Sequence, residues 1–414
     1  MRRAGDVFGR RGNRHLKQLW GLRGLLERLS VALIVLLIGS ISLFTTFKTP
    51  PVETNGYLRV RCNGGLNQQR TATCNAVLTA RIMSATLVLP ELDANRFSWI
   101  YDVEHFIKLL RYDVHIVETL PEISKHGKSK KDAPVNRYKT VALEVMKEHG
   151  AIFLTPFSHR LEEEIDNAEY QRLRCRVNYH ALQFKPQIMK LSQAIVSKLH
   201  SQGHFMSIHL RFEMDMLSFA VGLILRAMGF DNSTRIYLAA GEFFGGDRFM
   251  KPFRALFPHL SNHNTMGLSA DELAEGTHGM LGSTVDYMVC LLSDIFLQPY
   301  DGPSNVMGHR LYYGFRIIIQ PDRKALAPIF IKREKGQTTD FEESVRGVMY
   351  NIPFGGPHKR IPPESLYVNS WPECFCQMNP RNTANKCQPL NIVENLNSRL
   401  QSEEGMRSSN MTDG

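Results

Sequence analysis

The segment from Tyr57 to Pro90 constrains the fold more than any other part of the sequence. It begins with "YLRVRC" (Tyr57–Cys62) and ends with "ATLVLP", and both runs predict β-strands. Between them, a short "NGG" loop precedes a predicted helix at 66–84, whose apolar residues share one face: Ala76, Val77, Ala80 and Met83. Strand, helix and strand within about thirty-five residues form a βαβ unit, and such units build parallel sheets. The N-terminal globular part is therefore predicted to be α/β.

The rest of the sequence repeats this alternation of helices and strands. Further predicted elements are a helix at 103–110, strands at 113–117 and 151–156, a polar helix near 161–174, strands "HFMSIHLRF" and "RIYLAAGE", and a helix at 248–257. With 414 residues, of which 43% are hydrophobic, the chain is long enough for two domains. Two α/β units facing each other would form a cleft.

A run of uncharged residues near the N-terminus predicts a membrane anchor. Residues 29–47 carry no charge, and about twenty such residues cross a bilayer as a helix. Eight Arg and Lys residues precede the run, against only Asp6 and Glu27, which predicts a cytosolic N-terminus and a lumenal remainder. A cleaved signal peptide is the alternative, but "FTTFKTPP" is not a typical cleavage site. The formal charge of +10 owes about six units to this tail, so a nucleic-acid partner is not expected.

These changes in composition divide the chain into seven predicted segments. They are a cytosolic basic tail at 1–28, a transmembrane anchor at 29–47, a stem at 48–54, an N-terminal lobe at 55–200, a shortened C-terminal lobe at 201–335, an extension at 336–390 and a disordered tail at 391–414.

Cysteines and glycosylation sequons fit a lumenal location. In an oxidising lumen, disulfides are expected for most of the seven cysteines: Cys62, Cys74, Cys175, Cys290, Cys374, Cys376 and Cys387. The last three could instead bind zinc, although the sequence has no regular pair and no fourth ligand nearby. Asn232 and Asn410 begin sequons that would be glycosylated only in the secretory pathway.

The loop between the first strand and helix is a candidate ligand site. Gly64 and Gly65 allow the backbone to approach a ligand, and Asn63 is a suitable N-cap for a helix start that favours negative charge. An ordinary tight turn explains the glycines equally well. Additional hydrogen-bond donors stand in the first helical turn: Asn67, Gln68 and Arg70.

A second candidate lies at the end of the strand "HFMSIHLRF". Because strand side chains alternate, His209 and Arg211 are expected to point the same way. Arg211 is placed at the carboxyl end of its strand, where ligands bind in open α/β sheets and where a guanidinium could clamp a diphosphate. An ion pair between Arg211 and Glu213 or Asp215 is the alternative.

Two aspartates in or beside "VDYMVCLLSDIF" are weaker candidates. Asp286 or Asp294, if it ends a strand, could accept hydrogen bonds from a ribose or a guanine. Many such residues merely cap helices or form turns.

Six motifs together resemble the plant-type GDP-fucose protein O-fucosyltransferase family, in the family's order from Asn55 to Gln377. They are "NGYLRVRCNGGLNQQRTATCNAVLTARIMSATLVLPELD", "HLRFEMDMLSF", "RIYLAAGEFFGG", "VDYMVCLLSDIF", "GHRLYYGFRIIIQPDRKAL" and "NSWPECFCQ". The resemblance implies two Rossmann-like lobes of the GT-B type behind a single N-terminal anchor. It also implies residence in the Golgi membrane and transfer that requires no metal or cofactor, with a nucleotide sugar as donor and a protein or glycan as acceptor.

The resemblance further implies roles for residues that match the family's motifs. The donor-binding turn would be Gly64, Gly65, Leu66 and Asn67; the segment contacting GDP would be His209, Leu210 and Arg211; the nucleotide-binding acid would be Asp286; and a later donor loop would include Ser304 and Asn305. Arg211 would then stabilise the leaving diphosphate, a contact whose loss costs about 3 kcal/mol or more. The sequence identifies no general base, since Gly64 stands where some relatives carry a glutamate.

The chain departs from the family after "DMLSF", where relatives carry an insertion that is absent here. Three hypotheses follow. The chain is a fucosyltransferase of the secretory pathway, a transferase of another deoxy sugar such as rhamnose in cell-wall glycan synthesis, or an inactive lumenal binding protein.

Overall fold

The computed structural model describes one compact unit of the chain, which begins at Pro51. The described residues are 54–93, 96–121, 127–128, 138–157, 167–209, 216–239, 247–267, 280–298, 305–337, 339–351, 360, 364–371, 373–377 and 388–389. The predicted cytosolic tail, membrane anchor and C-terminal tail all lie outside these residues, as does the stem except for Thr54. Within the described ranges, no helix combines the length and apolarity needed to cross a bilayer.

The first half of this unit contains a parallel sheet with the order β4-β2-β1-β6-β5, in which β3 also pairs with β1. Its strands are β1 (Tyr57–Cys62), β2 (Thr86–Val88), β3 (Glu91–Leu92), β4 (Ile116–Val117), β5 (Gly127–Lys128) and β6 (Ala151–Phe157). The predicted βαβ unit is confirmed, because a helix at Leu66–Met83 joins the parallel neighbours β1 and β2. The predicted strand at 113–117 is shorter than expected, since only its last two residues pair.

Six helices in the described part of the first half accompany this sheet. They are α1 (Leu66–Met83), α2 (Phe97–Ile100), α3 (Val103–Leu110), α4 (Leu143–His149), α5 (Ala168–Arg176) and α6 (Pro186–His200). The predicted bounds of α3 are confirmed, and its start is fixed by Asp102, whose side chain accepts a hydrogen bond from the backbone N–H of His105 at 2.9 Å. Two π-helical turns, Tyr138–Ala142 and Val177–Ala181, adjoin α4 and α5.

The second half contains another parallel sheet, with the order β11-β10-β7-β8-β9. Its strands are β7 (Phe205–Ile208), β8 (Arg235–Leu238), β9 (Leu260–Ser261), β10 (Ile295–Leu297) and β11 (Ile317–Ile319). The accompanying helices are α7 (Met216–Ala227), α8 (Asp247–Leu256), α9 (Met280–Leu292), α10 (Asn305–Tyr312), α11 (Arg323–Glu334) and α12 (Phe341–Met349). Two short antiparallel strands, β12 (Cys376–Gln377) and β13 (Gln388–Pro389), form a separate pair. The α/β prediction with parallel sheets is therefore confirmed for both halves.

The larger apolar core joins the two halves. It runs from Leu58 of β1 through Ile195 of α6 and Val289 of α9 to Phe296 of β10. The second sheet divides its side chains by alternation, since Tyr237 of β8 faces this core while its neighbours Ile236 and Leu238 face a smaller one on the other side of the sheet. The helices α6 and α9 consequently lie between the two sheets.

One disulfide ties the C-terminal segment to the first half. Cys175 of α5 is bonded to Cys374, with their Cα atoms 5.3 Å apart. The segment packs so closely on α10 that a Cβ on Gly308 would lie 2.5 Å from the carbonyl oxygen of Tyr367, and only glycine avoids this clash. Since Cys374 is in a disulfide, it is unavailable as a zinc ligand.

The prediction that most cysteines form disulfides is wrong for three of them. Cys62, Cys74 and Cys290 are free thiols with buried side chains. Burial is the main cause that raises the pKa of Cys62 and of Cys74 to about 12, so both thiols stay protonated.

Candidate functional site

The glycine turn after β1 leaves the start of α1 without a side-chain cap. Gly64 has φ +88°, a conformation that residues with a Cβ rarely adopt. The N-cap position is occupied by Gly65, which has no side chain that could cap the helix. The predicted cap by Asn63 is therefore wrong. Gln69 shapes the turn, because its Nε2 donates to the carbonyl oxygen of Gly64 at 2.5 Å. Such a helix start presents backbone N–H groups and a partial positive charge, which suit an anion.

Two predicted donor residues that are distant in sequence, Asn67 and Asn305, meet at this helix start. Asn305 is the first residue of α10 and is fully buried. Its Nδ2 donates to the carbonyl oxygen of Asn67 at 2.8 Å and to Oγ1 of Thr71 at 3.1 Å. The first turn of α1 is thereby linked to the segment that follows β10 in the second half.

Three side-chain oxygens at this junction are buried and accept no hydrogen bond from the described part of the chain. They are Oδ1 of Asn67, Oε1 of Gln69 and Oδ1 of Asn305. An unsatisfied buried acceptor costs about 1 to 3 kcal/mol, so such atoms in a folded protein require an explanation. Their burial keeps these atoms out of reach of a ligand in this conformation, so they describe the packing of the junction.

Arg70 does not present a donor to ligands, contrary to the sequence prediction. Its side chain is fully buried, and its guanidinium donates to the carbonyl oxygens of Asn178 at 2.7 Å and Leu182 at 3.2 Å. Three aromatic rings face it, with centroids 4.9 to 5.7 Å from Cζ: Tyr101, Phe184 and Tyr287. Arg70 thus fixes α1 against α9 from inside the protein.

The carboxyl edge of the second sheet brings together residues that follow its strands. Extending the register places Gln298, His209 and Ala239 in one row, just beyond β10, β7 and β8 respectively, and His263 lies in the turn that follows β9. Backbone bonds continue the pairing there, since His209 N donates to Leu297 O at 3.1 Å and Ala239 N donates to Ile208 O at 2.9 Å. Ligands of open parallel sheets bind at such an edge.

The expectation that His209 and Arg211 share a strand face assumed that the strand continues through both residues. The observed strand β7 ends at Ile208, so this alternation does not apply to them. Leu210, Arg211 and Ser304 lie outside the described residues. Their predicted roles stay predictions.

Asp286 does not end a strand; it lies within α9, where its side chain is largely buried. One carboxylate oxygen, Oδ1, accepts hydrogen bonds from the Tyr237 hydroxyl at 2.7 Å and from Nδ1 of His263 at 2.9 Å. Asp294 lies at the opposite, amino-terminal edge of the sheet, where its carboxylate accepts a bond from Phe205 N at 2.9 Å. The strand-end interpretation is therefore wrong for both aspartates, although Asp286 still reaches the side of the sheet that faces the first half.

The charge of Asp286 changes the proton affinity of both partners. Burial and then the Asp286 charge raise the pKa of Tyr237, so its hydroxyl stays protonated and donates. For His263, burial opposes protonation, but the hydrogen bond and charge of Asp286 together raise its pKa above the usual value. The three side chains form one network, called here the Asp286 network (Tyr237, His263 and Asp286).

Sequence reasoning missed Tyr237 and His263. His263 is two residues beyond a strand of only two residues, too short to recognise by periodicity, and Tyr237 resembles an ordinary core residue of β8. The available signal was a histidine in the polar run "SNHN", which follows an apolar segment.

One of the two predicted glycosylation sites lies among the described residues. Asn232 is exposed in a turn between α7 and β8, where its sequon is accessible, while Asn410 lies outside the described residues.

In the described ranges, no cluster of three or more His, Cys, Asp or Glu residues could hold a metal ion.

The chain matches one protein-family model and is similar to several known proteins. The family model described as "GDP-fucose protein O-fucosyltransferase" matches residues 57–313. The chain is 61% identical to O-fucosyltransferase 1 of Arabidopsis thaliana, over 85% of this chain and 80% of that protein. It is 33% identical to rhamnogalacturonan I rhamnosyltransferase 1 of Arabidopsis thaliana, over 81% of this chain and 80% of that protein. The crystal structure of the fucosyltransferase NodZ from Bradyrhizobium aligns with 66% of this chain and 96% of its own, at 14% identity and a TM-score of 0.42.

Proposed function

The chain belongs to the GDP-fucose protein O-fucosyltransferase family, and on that premise we propose that it transfers fucose from GDP-fucose to a hydroxyl group of a protein or glycan. The observation that carries this proposal is the family match over residues 57–313, which includes the first parallel sheet, the second sheet except β11, the glycine turn and the Asp286 network. The two sheets would act as the Rossmann-like lobes of a GT-B glycosyltransferase, with the donor between them.

Each group of residues has a distinct part in this proposal. The turn formed by Gly64, Gly65, Leu66 and Asn67 receives the donor, and the uncapped start of α1 favours its negative charge. His209, Leu210 and Arg211 contact GDP, while Asp286 accepts a hydrogen bond from the nucleoside. Ser304 and Asn305 complete the donor loop. The hydrogen bonds from Asn305 to Asn67 and Thr71 support a donor site built from both halves.

The chemical step then depends on charge at the leaving group. As the bond between the sugar and the diphosphate breaks, negative charge grows on the phosphate oxygens. Arg211 and the start of α1 would stabilise that charge without a metal ion, and the sugar would pass through an oxocarbenium-like transition state.

A second donor class is favoured by one relative. Since a rhamnosyltransferase is 33% identical over most of its length, the donor could carry rhamnose instead of fucose. A deoxy sugar would suit the same junction in either case.

We further propose that the protein is a single-pass type II protein of the Golgi membrane, anchored by residues 29–47. The uncharged run, the basic residues before it and the exposed Asn232 sequon support this location. Protease protection of tagged chains in microsomes tests it, since a protease-accessible C-terminus would contradict the proposed topology.

Nucleotide release from a panel of nucleotide sugars is the decisive experiment for the activity. The full-length purified chain is expected to release GDP from GDP-fucose, with or without an acceptor. Turnover of UDP-rhamnose alone would favour the second donor class, and turnover of neither would contradict the proposal.

A pair of arginine variants tests the mechanism. Arg211→Ala is expected to lower kcat/KM by about 100-fold, because a charge-assisted contact to the leaving group is lost. Arg323→Ala, which removes an exposed arginine from α11, serves as the matched control and should leave kcat/KM unchanged.

A further inference from the structure

His263 lies at the carboxyl edge of the second sheet but has no role in the proposed function as stated so far. Its Nδ1 is 2.9 Å from Oδ1 of Asp286, and its side chain is only 6% exposed. It lies in the turn that follows β9, which pairs with β8, the strand that carries Tyr237.

The Asp286 network leaves two polar atoms available. Both described hydrogen bonds to the Asp286 carboxylate end on Oδ1, and the one bond of His263 uses Nδ1. Within the described residues, Oδ2 of Asp286 and Nε2 of His263 therefore have no hydrogen-bond partner. Two donors on one oxygen fix the plane of the carboxylate and so the direction of the other oxygen.

The helix that carries Asp286 also packs against the first half. Its next residue, Tyr287, places its ring 4.9 Å from Cζ of Arg70 in α1. Helix α9 therefore takes part both in the Asp286 network and in the packing of α1.

We propose that His263 is a positioning residue for the nucleotide sugar. Through its Nδ1 hydrogen bond, it holds the Asp286 carboxylate so that Oδ2 meets a hydrogen-bond donor of the nucleoside. This inference rests on the proposed function, because it takes Asp286 to contact the nucleotide.

A pH dependence of donor binding follows from the charges. Among the described residues, Tyr237 of β8 and Cys290 of α9 are the other titratable groups close to Asp286, and burial followed by the Asp286 charge raises the pKa of both, so they stay neutral. With His263 protonated, the pair with Asp286 has no net charge and its hydrogen bond is charge-assisted. When His263 loses its proton, the pair becomes negative and repels a diphosphate. Donor affinity is therefore full below the ordinary histidine pKa and falls as pH rises through the raised pKa of His263.

Calorimetric binding of GDP-fucose to the full-length chain, from about pH 6 to about pH 8, tests this inference. His263→Gln is expected to weaken binding by about tenfold at the lower pH and to remove most of the pH dependence. His263→Lys retains a cation that does not titrate in this range, so it should bind nearly as well as the wild type but without the pH dependence. His204→Gln is the matched control, since that side chain is 95% exposed.

A double-mutant cycle shows whether His263 acts through Asp286. In an Asp286→Asn background, His263→Gln should change the affinity by less than about twofold, because the group that it positions is already altered. Wild-type affinity in His263→Gln, or losses that simply multiply in the double variant, would overturn the inference. Retained pH dependence in the Lys variant would do the same, even if the Gln variant fails to fold. Absence of donor binding by the wild type would instead overturn the proposed function.

Discussion

Arg70 and Arg310 are both fully buried, one in each half of the molecule, but their surroundings differ. Arg310 donates six hydrogen bonds, and five of the acceptors are backbone carbonyls at the end of α9 and in β11: Cys290, Leu291, Ser293, Asp294 and Ile317. Arg70 donates to two backbone carbonyls and, at 3.5 Å, to Oδ1 of Asn178, and it otherwise faces aromatic rings. Arg310 completes the hydrogen bonding of a helix end, whereas Arg70 clamps elements from both halves together.

The pKa values of the two guanidinium groups also differ. Burial, followed by the charge of Arg316, lowers the pKa of Arg310 to about 9. Burial also opposes the charge of Arg70, but the facing Tyr287 and Tyr101 raise its pKa overall. Both buried arginines are therefore structural groups. Of the two, only Arg70 lies where its removal would also affect the proposed donor site.

The largest effect is expected from Arg310→Met. This change leaves five backbone carbonyls without their donor, and we expect the free energy of unfolding to fall by about 4 kcal/mol. Urea unfolding followed by circular dichroism measures it, with the exposed Arg323→Met as control. A loss below about 1 kcal/mol would remove the basis of the comparison.

Arg70→Met is expected to cost about half as much, near 2 kcal/mol. Two carbonyls and the cation–ring contacts are lost, but the desolvation of a buried charge is relieved. Unlike Arg310→Met, this change should also weaken GDP-fucose binding, because the first turn of α1 is no longer fixed against α9. Equal losses of stability in both variants, with donor binding intact in both, would show that the two sites do not differ.

Asn305→Ala should have a smaller effect on stability, about 1.5 kcal/mol, since it removes two hydrogen bonds between the halves. The expected change in kinetics is a rise in KM for GDP-fucose by several fold, with kcat less affected. Asn351→Ala, which changes an exposed residue just after α12, is the control. If KM is unchanged, the junction is structural only.

The sequence predicted one region of the proposed site better than the other. The βαβ unit and the glycine turn follow from local periodicity and glycine chemistry, so Gly64, Gly65 and Asn67 could be found without coordinates. The Asp286 network could not, because Tyr237, His263 and Asp286 come from three elements that only the parallel register brings together.

Arg70 shows a different limit of sequence reasoning. Its place in the first turn of a helix suggested exposure, but the aromatic residues that enclose it come from positions as distant as Tyr101 and Tyr287. Disulfide formation was overestimated for a similar reason, since Cys62 and Cys74 are packed in the core of the first half. Burial of a polar or reactive side chain depends on tertiary packing, which a local pattern does not contain.

The smallest predicted effect uses His309, a buried histidine near Arg70. Burial, then the charge of Arg70, then His180 lower the pKa of His309 well below its usual value, so it is neutral in the folded protein. The unfolded chain binds a proton at this histidine below about pH 6.5 and the folded chain does not, so stability falls as pH decreases through that value. His263 has the opposite dependence, so the measurement must isolate His309: the free-energy difference between wild type and His309→Phe is compared at two pH values. From about pH 7.5 to about pH 6, this difference should shift by just under 1 kcal/mol against the wild type. In an Arg70→Met background the shift should shrink, because the nearby cation is gone. Equal shifts in the two backgrounds would mean that His309 does not sense Arg70, and no shift in the wild-type background would mean that its pKa is not lowered.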